Sequence, residues 1–223
     1  MFDITADWKT TYPDAHAGFL VMHNVDNPPT CPELDRRRQD LEDALRARFA
    51  GQDRRALNAI PTISAYNAYY KQFVKTYHVQ AQLESIAFKG RAIPSVGALV
   101  TAMFMAELNN LLLTAGHDLD SLHLPVTVGI AGGDERYTLL RGQDQALKAG
   151  DMMMADRHGV ISSIVYGPDQ RTQITAGTRS VLFAVYAPAG ISVEAVHTHL
   201  EEIRDYARLA SPAAVVEALQ VVG

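Results

Sequence analysis

The sequence has a single cysteine, Cys31. One thiol cannot form an internal disulfide, and proteins of reducing compartments commonly lack such bonds, so we expect a cytoplasmic protein. The first residues, MFDITADWKTTYPDA, contain no basic stretch followed by an apolar run. They therefore predict no secretory signal.

The chain also lacks a surplus of positive charge. It carries 20 Lys and Arg against 25 Asp and Glu, for a net charge of −5 and a pI of about 5.9. Proteins that hold nucleic acid by its backbone usually have a basic surplus. The charge therefore argues against DNA as a partner and against tight, sequence-independent tRNA binding, although a local basic patch is compatible with it.

No apolar run is long and clean enough to predict a membrane span, which needs about 20 mostly apolar residues. Residues 93–115 come nearest, but Pro94 stands at their start, and Glu107, Asn109 and Asn110 interrupt them. Polar clusters of this kind are rare in lipid. We therefore predict no membrane partner, and a buried core helix that begins at Ser95 or Gly97 and ends near Gly116.

Several catalytic motifs are missing as well. The sequence contains no GxxxxGK[ST] phosphate loop and no GxSxG nucleophile elbow, and GIAGG at 129–133 lacks the GxGxxG spacing. Glu194, His197 and Glu201 share one face of a predicted C-terminal helix, but such a face is usually solvated. We predict no cofactor and no metal.

The pattern of apolar residues changes near Pro125. Helical spacing predicts a helix from Thr30 to Gly51 and one or two helices between Pro61 and Gly90, whereas alternation predicts strands from Pro125 to Val185. Together these segments predict an α+β fold in one domain, residues 1–223. The predicted strands are 16–25, two around a turn at 132–135, two around a turn at 156–159, 172–175 and 180–186.

An aromatic stripe follows Pro61. Aromatic residues at helical spacing usually belong to the core, and a base-stacking surface would need a basic groove beside it. We therefore predict that the stripe is buried. It consists of Tyr66, Tyr69, Tyr70, Phe73 and Tyr77.

Three motifs then give the chain a family resemblance. They are HDLDSL at 117–122, AGDMMMADRHGV at 149–160 and RTQITAGTRSVLF at 171–183. In order and spacing, residues 16–188 resemble the B3/B4 domain of the phenylalanyl-tRNA synthetase β chain, and more closely the freestanding proteins made of that domain alone. The resemblance implies helices packed on an irregular β-sandwich, with an N-terminal strand–helix extension and a C-terminal helix.

In the synthetase this domain hydrolyses tyrosine wrongly joined to phenylalanine tRNA, and this sequence departs from it where that chemistry sits. Met103 and Phe104 match a Thr-Asn pair of bacterial synthetases, Ala115 matches a histidine, and Ala184 lies near the glutamate that recognises the tyrosine hydroxyl. The resemblance therefore implies a more apolar pocket and little or no hydrolysis of that ester, and it leaves the catalytic residues unknown.

We predict a ligand pocket between the end of the buried helix and the strand region. Its floor is Met103, Phe104, Ala115 and Ala184, and its rim is His117, Asp118, Arg171 and Thr172. Two interpretations of the rim stay open. Arg171 and Thr172 either bind a carboxylate or terminal ribose or hold a turn, and His117 and Asp118 either line a pocket mouth or cap a helix exit.

Two functions follow from the resemblance. One is trans-editing or binding of aminoacyl-tRNA, with that RNA or its amino-acid moiety as partner. The other is a small-molecule binding module that has kept the fold and lost both tRNA binding and catalysis. A basic face would favour the first, and a closed apolar cavity without a basic rim would favour the second. A third possibility is a structural or regulatory partner of a synthetase.

Overall fold

The computed structural model describes residues 1–223, and its larger β-structure is a pair of sheets. One sheet has four antiparallel strands in the order β11-β2-β10-β3. Its central strands, β2 and β10, are buried nearly throughout because the sheet is covered on both faces. The bounds are β2 His16–His23, β3 Thr114–Asp118, β10 Ser180–Ala187 and β11 Val215–Val222.

The second sheet has five strands in the order β1-β4-β7-β8-β9, and β1 pairs with β4 in parallel. Two further strands, β5 and β6, form a separate hairpin. The bounds are β1 Phe2–Ile4, β4 Val126–Ile130, β5 Arg136–Thr138, β6 Asp144–Ala146, β7 Met152–Asp156, β8 Gly159–Ser163 and β9 Gly167–Pro168.

The two sheets face each other. The rings of Phe2 and Phe19 stack with centroids 4.0 Å apart, and Ser162 on β8 shares a hydrogen bond of 2.7 Å with the Tyr186 hydroxyl on β10. Helices cover the outer face of the four-stranded sheet. An added Cβ at Gly18 of β2 would lie 2.5 Å from Val196 of the last helix, so glycine permits the close approach there. The predicted α+β sandwich is confirmed.

Seven α-helices complete the fold, and none is long and apolar enough to cross a membrane. One continuous core of 56 buried residues joins helices and sheets, and the whole aromatic stripe lies within it, as predicted. The helices are α1 Ala6–Thr11, α2 Pro32–Arg48, α3 Arg54–Asn58, α4 Pro61–Gln72, α5 His78–Ala87, α6 Ala98–Asn110 and α7 Val193–Ala210.

Four details of the prediction are wrong. The N-cap of α2 is Cys31 rather than Thr30, because Pro32 takes the first helical position. The two strands around 132–135 do not pair with each other, since β4 lies between β1 and β7. Residues 172–175 form turns that are tied by side chains, not a strand. The core helix ends at Asn110, and 114–118 form β3.

A candidate ligand cavity at the free edge of strand β3

A cavity of about 360 Å³ lies beside the edge of β3, between α6 and the segment around β9. Its lining contains no Lys, Arg or Asp, and its mouth exposes Val96 and Leu140. A concave, mainly apolar site with a few polar groups is the usual form of a small-ligand pocket. The lining residues are His78, Gln82, Val96, Val100, Met103, Phe104, Glu107, Leu113, Thr114, Ala115, Gly116, Leu140, Ser163, Gly167, Pro168, Gln173, Ile174 and Tyr186.

A sharp turn between α6 and β3 shapes one end of this cavity. Leu111 adopts a left-handed conformation with φ of 62°, and its amide donates to the Glu107 carbonyl at 2.7 Å. The Tyr77 hydroxyl donates to the Leu111 carbonyl, and the Leu113 amide donates to the Tyr66 hydroxyl, at 3.0 and 2.9 Å. The aromatic stripe thus anchors the turn. We predicted a helix to Gly116 because a fully buried apolar run has no periodicity that separates helix from strand.

Glu107 is the acidic residue of the cavity. It is 2% exposed, and its Oε1 accepts a hydrogen bond of 2.7 Å from the Thr114 amide. Oε2 has no hydrogen-bond partner in the protein and is not enclosed by packed atoms, so it is open to the cavity. Burial raises the pKa of Glu107 to about 8, although the Thr114 amide partly offsets this effect. The carboxyl is therefore mostly neutral at pH 7.

The backbone of β3 contributes a second polar group. The amide of Thr114 donates to Glu107, and that of Asp118 donates to the Thr172 carbonyl, so both point away from β10. Strand alternation directs the N–H and C=O of Gly116, midway between them, to the same side. No loop or side chain pairs with them, and Gly116 lines the cavity.

Of the predicted floor, Met103, Phe104 and Ala115 line this cavity. Ala184 does not line it. Ala184 is fully buried in β10, directly opposite Ala115 in the ladder, and faces the interior of the sandwich. The edge strand β3 therefore stands between Ala184 and the cavity.

Of the predicted rim, His117 and Thr172 lie outside the cavity and are completely buried. Nδ1 of His117 donates to Thr172 Oγ1 at 2.7 Å, and that hydroxyl donates to Asp169. Burial, and secondarily the charge of Arg171, lowers the pKa of His117 to about 3. The prediction that His117 leaves the core at a helix end is wrong, because it lies within β3.

Arg171 is engaged by protein groups. Its two terminal nitrogens donate to the Asp156 carboxylate at 3.0 and 2.9 Å, and one also donates to the Ser121 carbonyl at 3.0 Å. Burial alone would raise the pKa of Asp156, but the amides of His123 and His158 together with Arg171 hold it below its usual range. Nε of Arg171 also lies 3.6 Å from the Asp169 carboxylate, so two acids of the protein face this guanidinium, and the structure favours the interpretation that Arg171 holds the turn.

Asp118 also has a local structural role. Its Oδ1 accepts from the Asp120 amide at 3.0 Å, which caps a short 3₁₀ turn, and Oδ2 accepts from the Thr178 hydroxyl at 2.7 Å. The structure therefore favours capping over a pocket mouth for this residue.

Sequence reasoning missed several cavity residues, notably His78, Glu107, Gly116 and Tyr186. Glu107 had a visible signal, since it is a lone acid in a long apolar helix. We used that signal only against a membrane span. No pattern marks the other three, because α5, β3 and β10 meet only in the folded chain.

Metal ligands do not cluster in this structure, in which no group of three or more His, Cys, Asp or Glu side chains could hold an ion. Glu194, His197 and Glu201 lie on α7 at its solvent side, where His197 and Glu201 form an i,i+4 pair at 3.5 Å. The geometry of these three residues is that of a solvated helix face.

The fold and cavity define a class: an α+β sandwich with a ligand-sized cavity at the edge of one sheet. Residues 66–222 match the B3/4 domain family, and the chain belongs to that family. The chain is 31% identical over 147 residues to the phenylalanine–tRNA ligase beta subunit of Anaeromyxobacter dehalogenans (strain 2CP-C). That alignment covers 60% of this chain but 18% of the ligase subunit.

The fold is also similar to the crystal structure of an N-terminal fragment of the phenylalanyl-tRNA synthetase beta-subunit from Pyrococcus horikoshii. The TM-score is 0.50 at 11% sequence identity, and the match covers 98% of this chain and 54% of the fragment. At that identity the likeness concerns the fold alone.

Proposed function

We propose that this protein binds a small, mainly apolar molecule with an amino-acid-like polar group in the cavity at the β3 edge. The observation that carries the proposal is the lining of the cavity of about 360 Å³, which is mainly apolar, has no Lys, Arg or Asp, and contains one Glu107 oxygen and a Gly116 peptide group without protein partners. This pattern suits a ligand with an apolar body and one polar end.

Membership of the B3/4 family supports an amino-acid derivative or an aminoacyl group as the bound moiety. Aminoacyl-tRNA is the second candidate, and the relation to a tRNA ligase subunit favours it. Against it stand the net charge of −5 and the absence of any cation in the lining. We therefore favour a small free ligand over an RNA-linked one.

Hydrolysis of an aminoacyl ester is disfavoured by the residues at the family's editing positions. Met103, Phe104 and Ala115 line the cavity and carry no group that transfers a proton. A positioned acid or base contributes about a hundred- to ten-thousand-fold to such a reaction. We propose binding with deacylation close to the uncatalysed rate.

Native mass spectrometry of the purified protein tests this function, because a tightly bound ligand is retained and weighed. We expect a ligand below about 300 Da, the size that a cavity of 360 Å³ accommodates. Val100→Trp, which fills the cavity from α6, should abolish retention. Val193→Trp, an equally large change at a 50%-exposed site on α7, should not. Equal retention by both variants would place the ligand elsewhere.

The tRNA alternative is tested with phenylalanine tRNA charged with tyrosine. Nitrocellulose-filter binding with a dissociation constant below about 1 μM at 0.15 M salt would favour aminoacyl-tRNA as the ligand. Rapid release of tyrosine would contradict the absence of catalysis. The same two assays on Ala115→His ask whether an imidazole at the editing position is enough to start hydrolysis.

The continuous core of 56 residues supports one domain over residues 1–223. The single cysteine and the relation to a tRNA ligase subunit support a cytoplasmic location. We propose both.

A further inference from the structure

Glu107 is built into the cavity wall and is incompletely used by the protein. It projects from α6 and is 2% exposed, and one of its carboxyl oxygens accepts a hydrogen bond from the Thr114 amide. The other oxygen has no protein partner although the residue lines the cavity. That oxygen is not enclosed by packed atoms, so it is placed to form a hydrogen bond with a molecule that enters the cavity.

We propose that Glu107 is a ligand-recognition residue whose second carboxyl oxygen, which has no protein partner at the cavity wall, forms a hydrogen bond with an oxygen of the ligand. The ligand class is an uncharged amide or ester with an apolar body. This inference rests on the proposed function, because it assigns the polar contact within the same cavity.

The surroundings of Glu107 favour the neutral form. No cation lines the cavity, and Arg48 of α2 reaches α6 only at the Asn109 carbonyl. Burial lowers the pKa of His199 to about 3 and also lowers that of His78, so neither histidine supplies a positive charge at pH 7. The titratable groups that face Glu107 or the same cavity from the packed elements are Tyr66, Tyr70, Tyr77, His78, Tyr186 and His199. Glu202 of α7 accepts from Asn109 and Asn110 at the end of α6 and does not line the cavity.

The cavity wall offers two different hydrogen-bonding functions to such a ligand. The O–H of Glu107 suits a carbonyl oxygen, and the C=O of Gly116 suits an N–H. An amide presents both groups. A free carboxylate is disfavoured, because it would bring a negative charge into a cavity without a cation.

The experiment measures binding of N-acetyl-L-phenylalaninamide, an uncharged diamide with an aromatic body, by isothermal titration calorimetry from pH 6 to pH 9.5. For the parent protein we expect the affinity to fall at least about tenfold across this range as Glu107 ionises and ceases to donate. Glu107→Gln keeps an acceptor for Thr114 and a donor for the ligand. It should bind within about threefold of the parent at pH 7 and show no pH dependence.

Two controls separate the possible failures. Asp151→Asn changes another buried acid, outside the cavity, and should retain the parent's pH profile. n-Propylbenzene has the apolar body without an acceptor and reports on the cavity alone at pH 7. If neither probe binds at millimolar concentration, the proposed function fails. If a probe binds but Glu107→Gln keeps the parent's pH profile, only the role of Glu107 is overturned.

Discussion

The two ends of strand β3 differ in how their buried polar groups are used. Around Asp118 most polar side chains are bonded to one another, with His117, Thr172 and Asp169 in a chain and Arg171 paired with Asp156, and only Nε2 of His117 lacks a partner. Around Gly116 the wall is apolar, and a carboxyl oxygen and a peptide group are left open. The first region rigidifies the fold, and the second is available to a ligand.

This difference contradicts the functional role that the motifs suggest for their polar residues. HDLDSL and the RT pair of RTQITAGTRSVLF carry much of the family resemblance, yet the side chains of Asp118, Arg171 and Thr172 are bonded to protein groups. The unremarkable apolar segment of α6 supplies Met103, Phe104 and Glu107 to the cavity. A polar motif marks a binding site only if its donors and acceptors are free in the folded chain.

The largest expected effect is the loss of folding stability that Glu107 causes as the pH rises from 5 to 8. Its folded-state pKa of about 8 exceeds the usual 4.5, so the folded state holds a proton that the unfolded state releases. Stability is therefore greatest below pH 4.5 and falls as pH rises to 8. Between pH 5 and pH 8 we expect this one group to cost up to about 4 kcal/mol. Urea unfolding of the parent and of Glu107→Gln measures it.

The quantity to compare is the difference in free energy of unfolding between the two proteins, because contributions from all other titrating groups cancel in it. The free energy of unfolding of Glu107→Gln minus that of the parent should increase from pH 5 to pH 8. A constant difference would mean that Glu107 is ionised in the folded protein.

The next largest effect is a loss of folding stability at the Asp118 end of β3. Arg171→Ala leaves the buried Asp156 carboxylate without its guanidinium. Breaking a buried pair costs about 3–5 kcal/mol, and we expect about 3 kcal/mol because Arg171 is partly exposed. Denaturant unfolding measures this loss. At a temperature where the variant is folded, its ligand retention should equal that of the parent. If the folded variant loses the ligand, Arg171 is a binding residue.

His117 should give a smaller effect of opposite sign in pH. Its folded-state pKa of about 3 lies below the usual 6.5, so the unfolded state takes up a proton that the folded state excludes. Stability is present above pH 6.5 and is lost as pH falls. Between pH 7 and pH 5 this amounts to about 2 kcal/mol.

The measurement compares the parent with His117→Asn, whose amide can donate to Thr172 in place of Nδ1. The variant should lose less stability than the parent between pH 7 and pH 5. His199, which is buried in the same way, stays in both proteins and cancels in the comparison.

The smallest change in stability is expected for Val100→Trp, the variant that should abolish ligand retention. Val100→Trp places added volume in an existing cavity of 360 Å³, so the free energy of unfolding should change by less than about 1 kcal/mol. Differential scanning calorimetry without ligand checks this value. A loss of several kcal/mol would show that the side chain cannot enter the cavity and that the variant reports on core packing.

Much of the fold was predictable because its signals are local. Pro61 and the aromatic spacing predict α4, and the turn at 156–159 between alternating residues predicts β7 and β8. Strands β1 and β11, near the two ends of the sequence, were not predicted. Both form by pairing with strands distant in sequence, β4 and β2, which local patterns do not encode.

The sequence by itself determined the family and the apolar character at positions 103, 104 and 115, because motif order and residue type need no coordinates. The tertiary structure alone decided which residues line the cavity. The turn at Leu111 converts the end of an apparent helix into an edge strand, and that edge opens Gly116 and Glu107 to the cavity while Ala184 is covered. Accessibility depends on contacts among α5, α6, β3 and β10, which are far apart in the chain.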